Sequence, residues 1–433
     1  MTAGQDAHRR WRGWLVAMAW TGCLWGSLPA AADVVHDADV AAMVDGVTID
    51  ELAPAVEELS GARPALVGGV AYTFETRSAF SGEAIDKAEQ YVFEHLQSYG
   101  LDSVVYHEFP GEDGAPPGRN IIGQINGTTK AGEIVVVGAH LDSFPWEGKA
   151  PGADDDASGV SATLYLARAF AGKTFERTIR FAFFGDEENA PWECQEIGSA
   201  GYAAKCKAAG ENIVAMIEAD SIAFDPPETD EPIVEMNTRM PGDDPDGADL
   251  AIFELWAEAI DVYSIADLVP VNVAISNNWS DHGSFWNNGY PAVMLVAEEL
   301  ENWNPYWHTG EDTVDKLDWP FYVQVTKSYV AVAAHLAGIV PVPPIEGDAA
   351  VEEPDAGTQE PDAGAHKPDA GAHKPDAGAA ESDGAAEEMV DGAVAGGGAG
   401  RGCAGFGSAD SNAAVILLLL GLAIAGHRCA RKA

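Results

Sequence analysis

Two histidines and a recurring series of acids stand where buried strand patterns give way to loops. Glu133-Ile-Val-Val-Val137 leads into Gly138-Ala139-His140-Leu141-Asp142-Ser143, and in extended chain His140 and Asp142 face the same side. A carboxylate so placed can accept a hydrogen bond from the imidazole, the usual support behind a metal-binding histidine. Asp154-Asp155-Asp156 lies between a strand end and an apolar helical stretch. Three carboxylates gathered without a cation would repel one another and their pKa values would rise; a divalent metal removes that cost. The strand Thr178–Phe184 ends in Gly185-Asp186-Glu187-Glu188. Adjacent carboxylates at a strand end point to opposite sides, so one can ligate a metal while the other stands over a bound water. The strand Ile213–Ala219 ends at Asp220, with Glu218 as a competing donor, and Tyr306-Trp307-His308-Thr309 supplies the second imidazole. His140, Asp155, Glu187-Glu188, Asp220 and His308 together offer two imidazoles, three ligating carboxylates and one spare. That set matches two zinc ions sharing a bridging carboxylate.

The elements that must position these residues follow from periodicity. Helical spacing runs over Ala84–Tyr99, closed by Gly100, and again over Val160–Phe170, Ser199–Ala208, Leu250–Val262 and Phe321–Ile339. Short β-rich runs fall at Val104–Phe109, Asn120–Ile125, Glu133–Val137, Thr178–Phe184, Ile213–Ala219, Leu268–Ile275 and Pro291–Val296. Strands alternating with helices imply an α/β fold: a mixed, mostly parallel central sheet flanked by helices, in one catalytic domain over residues 33–344. Chemistry in such sheets sits at the carboxyl ends of the strands, where the acids and histidines are found.

In order along the chain, GAHLDS, PGADDDASG, FFGDEENA, AMIEADSIAF, SDHGSFWNNGYPAVML and YWHTGEDTVDKLD resemble the co-catalytic dizinc aminopeptidases of clan MH, the superfamily of bacterial leucyl aminopeptidases, over Val70–Val340. The resemblance implies the zinc exopeptidase fold and two Zn ions. His140, Asp155 and Asp220 would hold one and Asp155, Glu188 and His308 the other, with Asp155 bridging and the Asp155-Asp156 peptide similar to one that is cis in the family. Glu187 would be the general base of N-terminal peptide-bond hydrolysis and Asp142 the orienter of His140. Asp220 is preferred to Glu218 because Asp220-Ser-Ile-Ala-Phe224 parallels the family's Asp-Met-Ile-Gly-Tyr. Asp281 and Phe224 match positions lining the substrate pocket, while His282 reads as structural. Glutaminyl-peptide cyclotransferases and noncatalytic transferrin-receptor-like surface domains share the fold and are the alternatives.

The chain carries 24 Lys+Arg against 69 Asp+Glu in 433 residues, a net charge of −45. So acidic a surface is repelled by phosphate backbones, which excludes nucleic acid as a main partner; peptide substrates are the expected ones. Residues 1–32 read as a signal peptide: His8, Arg9, Arg10 and Arg12 precede an apolar run ending in Leu28-Pro-Ala-Ala-Ala32. Residues 345–400 repeat Pro-Asp-Ala-Gly at Pro354, Pro361, Pro368 and Pro375 and hold 14 acids against 2 bases, the composition of a disordered stalk. In residues 401–433, Cys403, the apolar run Ala413–Gly426 and the basic end resemble bacterial MYXO-CTERM sorting tails. Together these imply export, with a C-terminal membrane anchor or a sorting enzyme as partner, and a surface-held or released product. Cys194 and Cys206 are the only cysteines expected in the mature folded part, with pairing and free thiols both open.

Overall fold

The structure, a computed structural model, describes residues 34–110, 117–145, 147–188, 197–226, 231–276, 278–297 and 304–340. From the amino end the chain forms α1 (Ala38–Asp45), α2 (Ile49–Leu59), the hairpin β1 (Ala65–Val67) and β2 (Val70–Tyr72), and α3 (Glu83–Ser98). Next come β3 (Ser103–Phe109), β4 (Gly118–Ile125), β5 (Lys130–His140), α4 (Ala157–Phe170), β6 (Arg177–Phe184), α5 (Ile197–Ala209) and β7 (Asn212–Ala219). The last elements are β8 (Ile233–Arg239), α6 (Ala248–Val262), β9 (Val269–Ile275), α7 (Asp281–Asn287), β10 (Ala292–Ala297) and α8 (Trp319–Ala337). The sequence patterns anticipate all of these except α1, α2, the hairpin, β8 and α7.

Eight strands form one mixed sheet in the order β3-β4-β6-β5-β7-β10-β8-β9. β5 pairs in parallel with β6 and β7, β7 with β10 and β8 with β9, whereas β3–β4, β4–β6 and β8–β10 are antiparallel. The middle of the sheet is buried on both faces, and β5 shows how. Val135 and Val137 point into the larger core beneath α4 and α8, while Ile134 and Val136 point into a second core with Tyr202 and Cys206 of α5 and Phe285 of α7. Strict alternation of apolar residues to opposite faces requires this two-sided cover.

α4 lies deep in the molecule and starts where the acids are. Its N-cap is Asp156, whose side chain accepts from the Gly159 amide. At Gly159 a Cβ would stand 2.0 Å from the Ala219 carbonyl oxygen, so only glycine lets α4 approach the end of β7 this closely. α8 closes the core. Tyr322 donates to the Ser158 carbonyl at 2.6 Å, and Tyr329 lies 3.3 Å from the carbonyl of Ile217 in β7. The Gly159 contact puts the C-terminal end of β7 beside the first turn of α4, and β5, which pairs with β7, and β6, which pairs with β5, follow it across the sheet.

The expected signal peptide, stalk and sorting tail all lie outside the described residues. Among the described residues no helix is long and apolar enough to cross a membrane.

Candidate metal centre

His140 is the last residue of β5, and the loop after it fixes its ring. Nδ1 faces the backbone carbonyl of Asp142 at 3.2 Å, which makes Nδ1 the donor and turns Nε2 toward the acids. Nε2 lies 3.1 Å from Asp155 Oδ1 and 3.5 Å from Asp220 Oδ1. On the other side of Asp155, His308 Nε2 lies 3.3 Å from Oδ2 and 2.8 Å from Glu188 Oε2. Each oxygen of the Asp155 carboxylate therefore faces a different imidazole and a different second acid. Donors about 2.0–2.2 Å from a tetrahedral zinc stand roughly 3.3–3.6 Å apart, close to these separations. Sets of His140 with Asp155 and Glu188, and of His140 with Asp156 and Asp220, also come within ligating reach of one another. Asp156 is otherwise engaged: its oxygens take the amides of His140 at 3.2 Å, Gly159 at 2.8 Å and Ser221 at 3.4 Å. The Asp155–Asp156 peptide is cis.

Glu218 and Asp220 separate cleanly. Glu218 Oε1 accepts the Asp281 amide at 3.0 Å, and Oε2 takes the His282 amide at 2.8 Å and faces His282 Nδ1 at 2.9 Å. It is spent on the start of α7, and Asp220 is the acid beside His140. The Ser280 hydroxyl sits between them, 2.6 Å from Glu218 and 3.1 Å from Asp220. His282 is fully buried in this pair and packs edge-on against Trp286, a structural place. The Asp142 carboxylate differs from expectation. It stands 3.8 Å from His140 Nδ1 and instead accepts the amides of Glu187 at 3.1 Å and Glu188 at 3.2 Å. The ring is held by the Asp142 main chain; the side chain braces the loop that carries the two glutamates.

Electrostatics at this site call for cations. Asp142, Asp154, Asp155, Asp156, Glu187, Glu188 and Asp220 make no ion pair with a lysine or arginine among the described residues. Burial pushes the Glu187 and Glu188 carboxyls well above their ordinary range, with neighbouring acids adding to it. Burial likewise raises Asp156 strongly and pushes Asp154 up to about 7. Burial acts on Asp155 the same way, but hydrogen bonding to His140 and His308 outweighs it and holds this carboxyl below the usual range. The His140 ring, against the cost of its burial, is raised well above 6.5 by Glu187, Asp220 and Asp155. Glu188 Oε1 is buried without a hydrogen-bond partner, and His140 Nε2 is buried facing the carboxylate oxygens of Asp155 and Asp220. Buried orphan donor atoms among mutually repelling carboxylates are what a bound divalent metal would satisfy. Three residues here, Asp186, Ser221 and His308, hold left-handed backbone with φ of 59°, 50° and 58°. Such conformations concentrate where a structure holds functional side chains in place.

Asp281 is fully buried at the start of α7, and its charge adds to the repulsion felt by Glu187. Phe224 is buried edge-on to Tyr306 with ring centroids 6.1 Å apart. Cys206 is a buried free thiol, and Cys194 lies outside the described residues. Three supporting residues carry little or no signal of their role in the sequence. Asp312 takes the amides of Asp154 at 2.9 Å and Asp155 at 3.1 Å; its signal was its place four residues after His308. Asn120 accepts the Gly185 amide at 3.0 Å and donates to the Gly198 carbonyl at 2.8 Å, tying the glutamate loop to α5. Arg77, fully buried, has no local signal at all.

A mixed α/β sheet with imidazoles and acids gathered over the carboxyl ends of its middle strands is an architecture with close solved parallels. LapB from Legionella pneumophila aligns with a TM-score of 0.57 at 25% identity, covering 72% of this chain and 78% of that one. The LapA aminopeptidase of the same organism aligns with a TM-score of 0.56 at 23% identity, over 70% of this chain and 76% of that one. Residues 120–333 match the family model of Peptidase family M28. A probable leucine aminopeptidase of Trichophyton verrucosum is 28% identical over 228 residues, 50% of this chain and 56% of that protein. The chain thus spans little more than half the length of that curated relative.

Proposed function

We propose that this chain is an exported zinc aminopeptidase that hydrolyses the N-terminal peptide bond of peptides with a free α-amine. The observation that carries the reading is the Asp155 carboxylate between His140 with Asp220 and His308 with Glu188. The family match over residues 120–333 supports it. When bound, two zinc ions would supply Lewis acidity, acidifying water and polarising a peptide carbonyl. His140, Asp155 and Asp220 would hold one, and Asp155, Glu188 and His308 the other.

Glu187 is the residue that moves the proton. Its amide is fixed by Asp142, and burial, with nearby acids adding to it, raises its carboxyl well above the ordinary range, which strengthens it as a proton acceptor. It takes the proton of the attacking water and returns it to the leaving amine. Asp281, buried beside Glu187 and outside the proposed ligand set, supplies negative charge that favours a substrate presenting a free α-ammonium and disfavours a blocked one. Residues 1–32 are assigned to export, 345–400 to a stalk and 401–433 to sorting or membrane retention, so the product is held at the cell surface or released after processing.

The test is a panel of aminoacyl anilides, their N-acetylated forms and an N-terminal glutaminyl peptide, assayed with and without chelator. Chelator-sensitive release from the free anilides alone is expected. Pyroglutamate formation without anilide hydrolysis would establish a cyclotransferase instead, and zinc-free, inactive protein a binding domain.

A further inference from the structure

Arg77 lies between β2 and α3 in the chain, has no exposed surface, and makes no ion pair among the described residues. Its guanidinium is spent on main-chain carbonyls. Nε donates to Leu141 at 2.9 Å, Nη1 to Leu59 at 2.9 Å and Pro151 at 2.7 Å, and Nη2 to Gly152 at 3.0 Å. The Arg77 amide donates to the Ser143 hydroxyl at 3.1 Å, which donates in turn to the Ala150 carbonyl at 3.0 Å. Leu141 and Ser143 begin the connection between β5 and α4, just after His140; Ala150, Pro151 and Gly152 lie later in the same connection, just before Asp154, Asp155 and Asp156. One side chain therefore ties together the two ends of the single connection between β5 and α4, the end that follows the first imidazole and the end that presents the bridging acid, and anchors both to the last residue of α2. Gly152, at φ 54°, has no room for a side chain: a Cβ there would stand 2.3 Å from the Asp155 carbonyl oxygen and 2.9 Å from Arg77 Nη2.

Burial lowers the affinity of this guanidinium for its proton, and the acids Asp156, Asp312, Asp155 and Asp142 offset that cost. The cation is held by the field of the site while its hydrogen bonds go to the backbone. A planar fork can satisfy four carbonyls in fixed directions; an ammonium cannot.

We infer that Arg77 is a positioning residue for metal binding: a buried clamp that sets the spacing between His140 and Asp155 before any ion arrives. This rests on the metal-centre reading above. Charge and position act in opposite senses, which makes the inference testable. On charge alone, deleting a buried cation strengthens the binding of dications. If Arg77 works by positioning, deleting it weakens binding.

The experiment uses the full chain. Zinc affinity is measured by competition with a chromophoric chelator, and ligand geometry by the visible absorption of the cobalt-loaded protein, for the parent, Arg77→Gln and Arg77→Lys. Residues supporting metal ligands are commonly worth about 10- to 100-fold in affinity, and a loss of that size is expected in both variants, with an altered cobalt spectrum. Unchanged or tighter zinc binding by Arg77→Gln, with the parent's cobalt spectrum, overturns the inference. If neither variant folds, Ser143→Ala decides: it removes one strut of the same clamp, weakened zinc binding is expected, and parental affinity and spectrum refute the clamp. A parent chain that takes up no metal would instead defeat the metal-centre reading itself.

Discussion

Replacing Asp142 by Asn separates two jobs that its position could serve. If the carboxylate oriented His140, the substitution would strike the ion held by His140, Asp155 and Asp220. In the structure the ring is held by the Asp142 carbonyl, which the substitution leaves in place, and the carboxylate accepts the Glu187 and Glu188 amides. Asn keeps one acceptor oxygen and turns an NH₂ group toward the other amide. A hydrogen bond to a charged acceptor is worth about 1.5–3 kcal/mol, so losing one places the cost near 2 kcal/mol, roughly 30-fold in affinity. That loss should fall on the ion proposed to be held through Glu188 and His308. Zinc titration of the metal-free protein by calorimetry should show one class of site weakened about 30-fold and the other within a factor of about three. Because both substitutions act through Glu188, Asp142→Asn combined with Glu188→Gln should weaken binding no further than Glu188→Gln alone. Selective weakening of the site that does not depend on Glu188, or equal weakening of both, would refute the reasoning.

Glu187→Gln should leave zinc content by elemental analysis unchanged and lower kcat by about 10²- to 10⁴-fold, the usual worth of a general base; near-parental turnover would remove Glu187 from that role. Gly159→Ala would drive a Cβ to 2.0 Å from the Ala219 carbonyl oxygen and 2.5 Å from Asp156 Oδ1, so a loss of about 1–3 kcal/mol or more in urea unfolding is expected. An unchanged urea midpoint would mean that α4 can move away from β7 without cost. Burial acts to raise Glu218, but His282 and Ser280 hold it below its ordinary range. Its stabilisation is therefore present above the unfolded value of about 4.3 and lost as pH falls through the folded one. His282→Gln should lower stability above about pH 4.5 and flatten the acid loss below it; profiles parallel to the parent's would exclude the pair as the source.

What the sequence conveyed, and what it did not, divides along physical lines. β5, β6, β7 and α4 were readable because each has a long apolar run bounded by glycine or acids, and burial on both faces leaves such runs unmistakable. β8 was not, since Ile233-Val-Glu-Met-Asn-Thr-Arg239 carries four polar residues in seven and is buried through partners that sequence does not reveal. α1 and α2 are short, and much of their hold comes from distant groups, as when Tyr165 donates to the Met43 carbonyl and Ser161 to that of Leu52. The histidines and acids of the site were visible as residue types at strand ends. The sequence offers only resemblance to choose between Glu218 and Asp220; in the structure the amides of Asp281 and His282 claim Glu218. Arg77 was out of reach, because the partners of its guanidinium lie 18 to 75 positions away and are all backbone atoms.

The acids at the site fall into two groups by what their oxygens do, and the division explains how loops without regular structure can hold a metal site. Irregular backbone near a core leaves N–H and C=O groups that must be paired. Asp142, Asp154, Asp156, Glu218 and Asp312 accept main-chain amides from Glu187, Ala223, Gly159, His282 and Asp155, among others. Arg77 performs the complementary task, donating to four carbonyls. Asp155 and Glu188 are left to face the imidazoles, joined by Asp220. The excess of carboxylates over what two ions could bind is then no surplus, because each bracing acid stands in for a strand neighbour that the loop lacks. Removing a bracing acid should therefore behave like loosening a loop, with metal affinity falling by degrees, whereas removing Asp155 should abolish both sites at once.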